Sequence, residues 1–192
     1  MSRPDRRAEI ILAARETIAE QGFHGAPMAM IAARAGVGAG TIYRYFANKD
    51  LLITELCREL EGRIYPAMMA GCDPDGTVRE RFIHLGSALM RYFIGHPLDF
   101  RYLQQFHNSP YGAAYRRDKL LGRHEGNDVY RSLFIEGTAA GVMKDLPLAI
   151  LFSLTFGPLI AAVRDHVLGI VELDERLIAH IAEACWDAVR QV

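Results

Sequence analysis

The stretch from Ile31 to Leu52, IAARAGVGAGTIYRYFANKDLL, constrains this chain more than any other. Ala32, Gly36 and Ile42 stand at relative positions zero, four and ten within it. A small residue lets two helices approach closely, and a glycine supplies the positive φ of a tight interhelical turn. The branched apolar residue then seats the second helix on the first. The spacing predicts a helix-turn-helix with Gly38 to Tyr45 as the recognition helix. The surrounding groups suit a phosphate backbone. Thr41, Tyr43 and Tyr45 offer hydroxyls, Arg44 offers a fork of donors, and Lys49 is a point charge at the start of the next helix. The competing reading is a plain helical hairpin with its aromatics in the core, where Phe46 is placed in either case.

The longer run GFHGAPMAMIAARAGVGAGTIYRYFANKDLL, Gly22 to Leu52, resembles the tetracycline-repressor (TetR) family of one-component bacterial transcription regulators. Its most specific part is G-T-I-Y-x-Y-F-x-x-K-x-x-L, Gly40 to Leu52. The resemblance implies an all-α fold with a three-helix DNA-binding head over residues 1–47 and a larger ligand-binding and dimerisation body over 48–192. Helix 4, residues 48–70, would connect them, in a chain of about nine helices. The candidate DNA contacts are Met28, Gly38, Ala39, Gly40, Thr41, Tyr43, Arg44, Tyr45 and Lys49. Two departures from the family pattern bear on specificity. Ala26-Pro27 replaces the usual Thr-Ser before the second helix, removing a cap and a phosphate-binding hydroxyl. Gly38 stands where the family usually has Ser, so Ala39 and Gly40 present backbone rather than side-chain donors. Direct base reading falls to Arg44 and Thr41, with Met28 and Ala39 against thymine methyls, and indirect readout takes a larger share.

A net charge of −1 looks unsuited to DNA until it is divided along the chain. Residues 1–50 hold seven Lys/Arg against five Asp/Glu, which leaves fifteen of the 22 basic and eighteen of the 23 acidic residues for the remainder. The basic excess therefore lies in the head. Hydrophobic content of 51% supports a sizeable core and 23% charged residues argue against disorder. The opening MSRPDRRAEI lacks an apolar signal core, which points to a cytoplasmic protein. Cys57, Cys72 and Cys185 show no C-x-x-C spacing and read as reduced thiols, with a redox sensor as the lesser alternative.

In chain order, helix 1 is expected from Arg6 to Gln21, with Ile10, Ala13, Ala14, Thr17 and Ile18 on one face and Gly22 as the stop. Arg3, Arg6 and Arg7 either reach phosphates or a minor groove, or are solvated end charges. Helix 2 starts at Pro27 and helix 4 at Asn48, a good N-cap. Gly71 to Gly76 is a turn cluster; helix 5 spans Thr77 to Ile94. A single helix 7 is expected from Tyr115 to Thr138. Leu146 to Val163 runs 18 residues without a charge, long enough for a membrane span. Pro147, Gly157, Pro158 and two hydroxyls argue instead for a helix buried on both faces, in its own core and against a partner, with no membrane role. Leu173 to Val189 closes the chain, Asp174 capping and Leu177, Ile181, Ala184, Cys185 and Ala188 forming its stripe.

Seven of the eighteen aromatics fall between Tyr92 and Tyr115, interleaved with Arg, His, Gln and Asn. Aromatics with a few polar tips suit a small-molecule pocket. The candidate lining is Tyr92, Phe93, Arg101, Tyr102, Gln105, Phe106 and Tyr111, with Phe134 and Phe156 further on. The effector would be apolar or aromatic. The family resemblance also implies a homodimer through the last two long helices, with Phe152, Phe156, Leu159, Ile160, Val163, Ile181 and Cys185 at the interface. His96, His107 and His124 match no close metal-ligand spacing, and neither metal nor cofactor is expected. No nucleophile elbow, phosphate loop or paired carboxylates support an enzyme. The expected function is a DNA-binding regulator, a repressor released from a palindromic double-stranded operator by a small molecule. A DNA binder without ligand control is the alternative.

Overall fold

A computed structural model describes residues 5–123 and 128–191. The described residues form ten α-helices, with one isolated bridge between Met143 and Arg190. Helix α1 (Arg6–Gln21) starts where the Asp5 carboxylate accepts from the amides of Arg7 and Ala8, and it stops at Gly22. Its expected apolar face is buried, together with Ile11. Then come α2 (Met28–Arg34), α3 (Ala39–Tyr45) and α4 (Lys49–Met69). Asn48 caps α4 by accepting from Leu51 N at 2.9 Å. After the turn cluster, α5 (Val78–Gly95) and α6 (Pro97–His107) follow.

The expected single helix from Tyr115 to Thr138 is two helices, α7 (Pro110–Leu120) and α8 (Val129–Ala139). Gly122, at φ +67°, ends the first, with Arg123 N returning to Asp118 O at 2.8 Å. Asp128 opens the second by accepting from Arg131 N at 3.0 Å. This break brings the expected nine to ten among the described residues. Finally α9 (Leu148–Val167) and α10 (Glu175–Val189) complete the chain, α10 capped by Asp174 through Leu177 N at 2.7 Å.

The helices divide into two compact units, Met1–Arg63 with His96–Ala114, and Ile64–Gly95 with Tyr115–Val192. This differs from a head ending at residue 47. The first unit keeps α4 as far as Arg63 and recruits α6 and the start of α7 from distant sequence. Its core holds Ile10, Ile18, Ile31, Ile42, Leu52, Ile53, Leu56 and Leu60, all fully buried. Each such side chain stabilises by about 1.5–3 kcal/mol. Helix α6 packs along α1 within this unit. Tyr102 is fully buried with its ring 6.1 Å from Phe23, and its hydroxyl faces Ile53 O at 3.4 Å. Asp99, 2% exposed at the side chain, pairs with Arg15 at 2.6 Å and lies 3.7 Å from Arg63.

Between α2 and α3 the chain turns at Gly36, φ +64°. Gly36→Ala is expected to destabilise the protein by roughly 1–2 kcal/mol through backbone strain alone. An added Cβ there meets nothing within 4 Å, so no clash contributes. Urea unfolding checks this.

In the second unit α5 packs on α9 and α10, and α8 on α5 and α9. The buried residues of α10 are Ile178, Ala182, Cys185, Trp186 and Val189. Apart from Cys185 this is not the expected stripe, and Leu177, Ile181 and Ala188 are half-buried while Ala184 is exposed. Lys144 N donates to Val189 O at 2.8 Å and Gln191 N to Val142 O at 3.0 Å, tying the end of α10 to the loop before α9. None of the three cysteines is in a disulfide, and burial pushes the Cys185 thiol up to about 11. Such a thiol has little thiolate to react, which weighs against a redox role there.

Candidate nucleic-acid interface

The candidate surface is built by α2, its turn and α3. Met28, Ile31 and Ala32 of α2 face the core, and α3 buries only Ile42, with Phe46 following at 2% exposed. Val37 N donates to Ala32 O and Gly36 N to Ala33 O, at 3.0 and 3.1 Å, closing the turn. Everything else on α3 is turned outward. Gly38, Ala39, Gly40, Tyr43, Arg44 and Tyr45 are exposed and Thr41 is half-buried. Tyr43 and Tyr45 leave 53% and 44% of their surface in solvent, so two large rings are held out at the surface. Arg34 is committed to Glu20 and Glu16 at 2.8 and 3.6 Å. Arg44 makes no ion pair among the described residues.

Met28 and Lys49 among the candidate contacts, and Arg7 among the N-terminal arginines, have partners within the first unit. Met28 is buried at 8%, because it lies three residues before Ile31 on the inner face of α2; Met30, 39% exposed, is the methionine at the surface. Lys49 is half-buried and donates to the Phe23 carbonyl. Burial lowers its pKa against the opposing effect of Asp50. Arg7 donates to Glu59 at 2.5 Å and Glu55 at 2.8 Å and lies 5.6 Å from the Phe46 ring centroid, so it ties α1 to α4. The Glu59 hydrogen bond holds its pKa above the ordinary value. Arg6 pairs with Glu9 at 2.7 Å, and Arg3 lies outside the described residues.

The expected pocket residues are not gathered in one unit. Arg101, Tyr102, Gln105, Phe106 and Tyr111 belong to the first; Tyr92, Phe93, Phe134 and Phe156 belong to the second. Tyr111 lies 5.7 Å from Phe23 and donates to Asp50, while Gln105 lies beside Gly22. These contacts hold α6 and α7 to the helices of the head. Of the expected interface residues, Leu159, Val163 and Cys185 are buried in their own unit; Phe152, Phe156, Ile160 and Ile181 are half-buried. No group of three or more His, Cys, Asp or Glu side chains converges among the described residues, and His124 lies outside them.

The description "Bacterial regulatory proteins, tetR family" matches residues 10–56, and "Tetracyclin repressor-like, C-terminal domain" matches residues 78–190. The chain belongs to the TetR family. A structure from Vibrio parahaemolyticus, described as a putative TetR-family transcriptional regulator, is 32% identical. It aligns over 98% of this chain and 100% of that one with a TM-score of 0.75. An uncharacterized HTH-type transcriptional regulator of Haemophilus influenzae is 24% identical over 99% of this chain and 98% of its own length. The fatty acid metabolism regulator protein of Bacillus subtilis is 40% identical over 73 residues, and that match spans only 38% of either chain.

As a TetR-family transcription regulator, the protein has an all-helical fold with the helix-turn-helix in its N-terminal unit. Both motif helices begin without a side-chain cap, at Pro27 and at Gly38. The first amides of α3 thus keep their donors. A Cβ at Gly40 would meet nothing within 4 Å, and one at Gly38 only Thr41 Oγ1 at 3.8 Å. The fold therefore tolerates a side chain at both positions. Among the buried groups that composition and spacing did not single out, Asp99 and Tyr130 are the clearest. The signal for Thr155 was its place between Leu151 and Leu159 on one face of α9.

Proposed function

We infer that the protein is a repressor that binds a palindromic operator as a homodimer and leaves it when a small apolar or aromatic effector binds the second unit. The observation that carries this is the outer face of α3, where Tyr43, Arg44 and Tyr45 stand exposed beside two side-chain-free positions. Such a face suits a major groove, with Arg44 at base edges and the tyrosine hydroxyls and amides at phosphates. The effector acts through unequal affinity for two conformations of the dimer. No enzymatic activity is expected, and the cytoplasm is the proposed site of action.

Dimerisation has its own support. Helix α9 is long and apolar enough to cross a membrane by length and composition, yet only 22% of its most apolar stretch is buried within the chain. Ile150 is 45% exposed, Gly157 and Pro158 are exposed, and Ala184 of α10 is exposed beside half-buried Leu177, Ile181 and Ala188. A second copy covering this face would remove it from water, and Gly157 permits close backbone approach.

The test is binding to DNA flanking the protein's own gene across a salt series. Sequence-dependent binding with a steep salt slope supports the reading; its absence sinks it. In the same assay Ala184→Glu is expected to give a monomer by analytical ultracentrifugation and to lose operator binding, with circular dichroism unchanged. A dimer that persists would move the interface elsewhere.

A further inference from the structure

Helix α8 carries a cation that the rest of its unit leaves without a counter-charge. Arg131 makes no ion pair among the described residues, and its Nε is shielded from solvent with no hydrogen-bond partner among them. The two acids nearest in the sequence are turned elsewhere. Asp128 Oδ1 accepts from the Arg131 amide at 3.0 Å, and Glu136 pairs with Arg81. Helix stability does not account for the charge either, because Arg131 stands in the first turn of α8, where a cation opposes the helix dipole. Its guanidinium lies against Gly122, where a Cβ would fall 3.0 Å from Nη2 and 3.2 Å from Cζ. A shielded donor without an acceptor is unfavourable, and its presence calls for a partner from outside the chain.

The same arginine ends a groove of about 400 Å³ within the second unit. That volume falls within the roughly 300–1,000 Å³ of small-molecule sites. Arg131, Ile135 and Ala139 stand at i, i+4 and i+8 on one face of α8 and line one side, and Leu146, Leu148 and Leu151 line the other. Arg131 is the one charged residue in the described lining. Ile135 is 50% exposed, so apolar surface lies open to a ligand directly beside the cation. From Arg131 to Ala139 the helix rises about 12 Å, a length that an extended octyl chain matches. A guanidinium fork answers a carboxylate with two parallel hydrogen bonds, while the groove beyond it removes an alkyl chain from water. A neutral ligand would leave the fork unmet, and a cationic one would be repelled.

We propose that this groove binds a single-chain amphiphile, an alkyl carboxylate of medium length, with its carboxylate on the Arg131 guanidinium and its chain along Ile135 and Ala139. The proposal rests on the reading of the protein as an effector-responsive regulator, and it gives the apolar effector an anionic end.

The full chain is titrated by isothermal calorimetry with octanoate, 1-octanol and octylammonium, which share a chain and differ in the charge of the head. Octanoate is expected to bind at least about ten-fold tighter than octanol, the size of one hydrogen bond to a charged group, and octylammonium weakest. Arg131→Gln is expected to bring octanoate down to the affinity of octanol, leaving octanol binding and the melting temperature unchanged. Ala139→Trp, at an exposed position, fills the groove and is expected to abolish binding of both. Equal affinities for octanoate and octanol, or a preference that survives Arg131→Gln, would overturn the proposal. So would a lowered melting temperature in Arg131→Gln, which would mean that the guanidinium already has a structural partner. A monomer produced by Ala139→Trp, seen by analytical ultracentrifugation, would overturn it too, because a second copy would then occupy the groove. Operator release is read separately by gel shift, and octanoate is expected to release the parent but not Arg131→Gln. A parent that binds no operator, with the octanoate preference intact, would strike the regulator reading and not the site.

Discussion

Arg44→Ala is expected to weaken operator binding by about 1–3 kcal/mol, roughly a five- to more than hundred-fold rise in Kd. It is also expected to relax base preference at the position it reads. Arg44 is exposed, it makes no ion pair among the described residues, and its neighbours on α3 already leave the core to Ile42. The melting temperature should therefore not move, and that constancy separates lost recognition from lost fold. Tyr43→Phe is the companion measurement. Removing one hydroxyl at a phosphate should weaken binding to every sequence alike, because phosphate contacts carry no sequence information. Lys49→Ala is a poorer probe of DNA contact. Its ammonium holds the Phe23 carbonyl, so the variant would loosen the head as well. If Arg44→Ala binds specific DNA like the parent, the recognition surface has been misplaced.

Asp99→Ala is expected to cost about 3–5 kcal/mol of stability, the range for removing one partner of a buried ion pair. For a chain of this length that is roughly 10 °C in melting temperature. The size follows from burial: the Asp99 side chain is 2% exposed and that of Arg15 only 17%. Removing the carboxylate would leave Arg15, whose Nε already has no hydrogen bond among the described residues, without its pairing to Asp99. Asp99→Leu combined with Arg15→Leu should recover much of the loss, since well-packed apolar replacements of a buried pair are often neutral. Differential scanning calorimetry on the two singles and the double checks the coupling. A loss below about 1 kcal/mol for Asp99→Ala would show that the pair behaves like one at the surface.

Local rules made much of this legible beforehand. Helix α1 was bounded by its apolar period and Gly22, and α10 by the Asp174 cap, because these signals act within a turn or two of themselves. The helix-turn-helix followed from Ala32, Gly36 and Ile42 for the same reason. Two misreadings were avoidable. Met28 stands three and four residues before Ile31 and Ala32, the spacing of an inner face, and Gly122 was available as a stop inside the helix drawn through it. Others were not. Tyr102 and Phe106 stand one helical turn apart in the sequence, but nothing there shows that α6 packs against α1. Likewise nothing near Arg7 in sequence announces Glu55 and Glu59. Partners across long loops are chosen by the whole packing, which divides the residues of the aromatic segment between the two units.

The recruitment of α6 into the first unit bears on how such regulators can be rebuilt. Grafting a recognition module onto a foreign sensor treats the N-terminal segment as a cassette, cut after its third helix or within its fourth. Here that cassette would be missing part of its own interior. A cut at Arg63 would strip away Asp99, Tyr102 and Phe106, exposing Arg15 and the flanks of Ile53 and Phe23 to solvent. A working chimera of this protein has to carry the Pro97–His107 helix with it, or supply a host helix that repeats its carboxylate and its aromatic face.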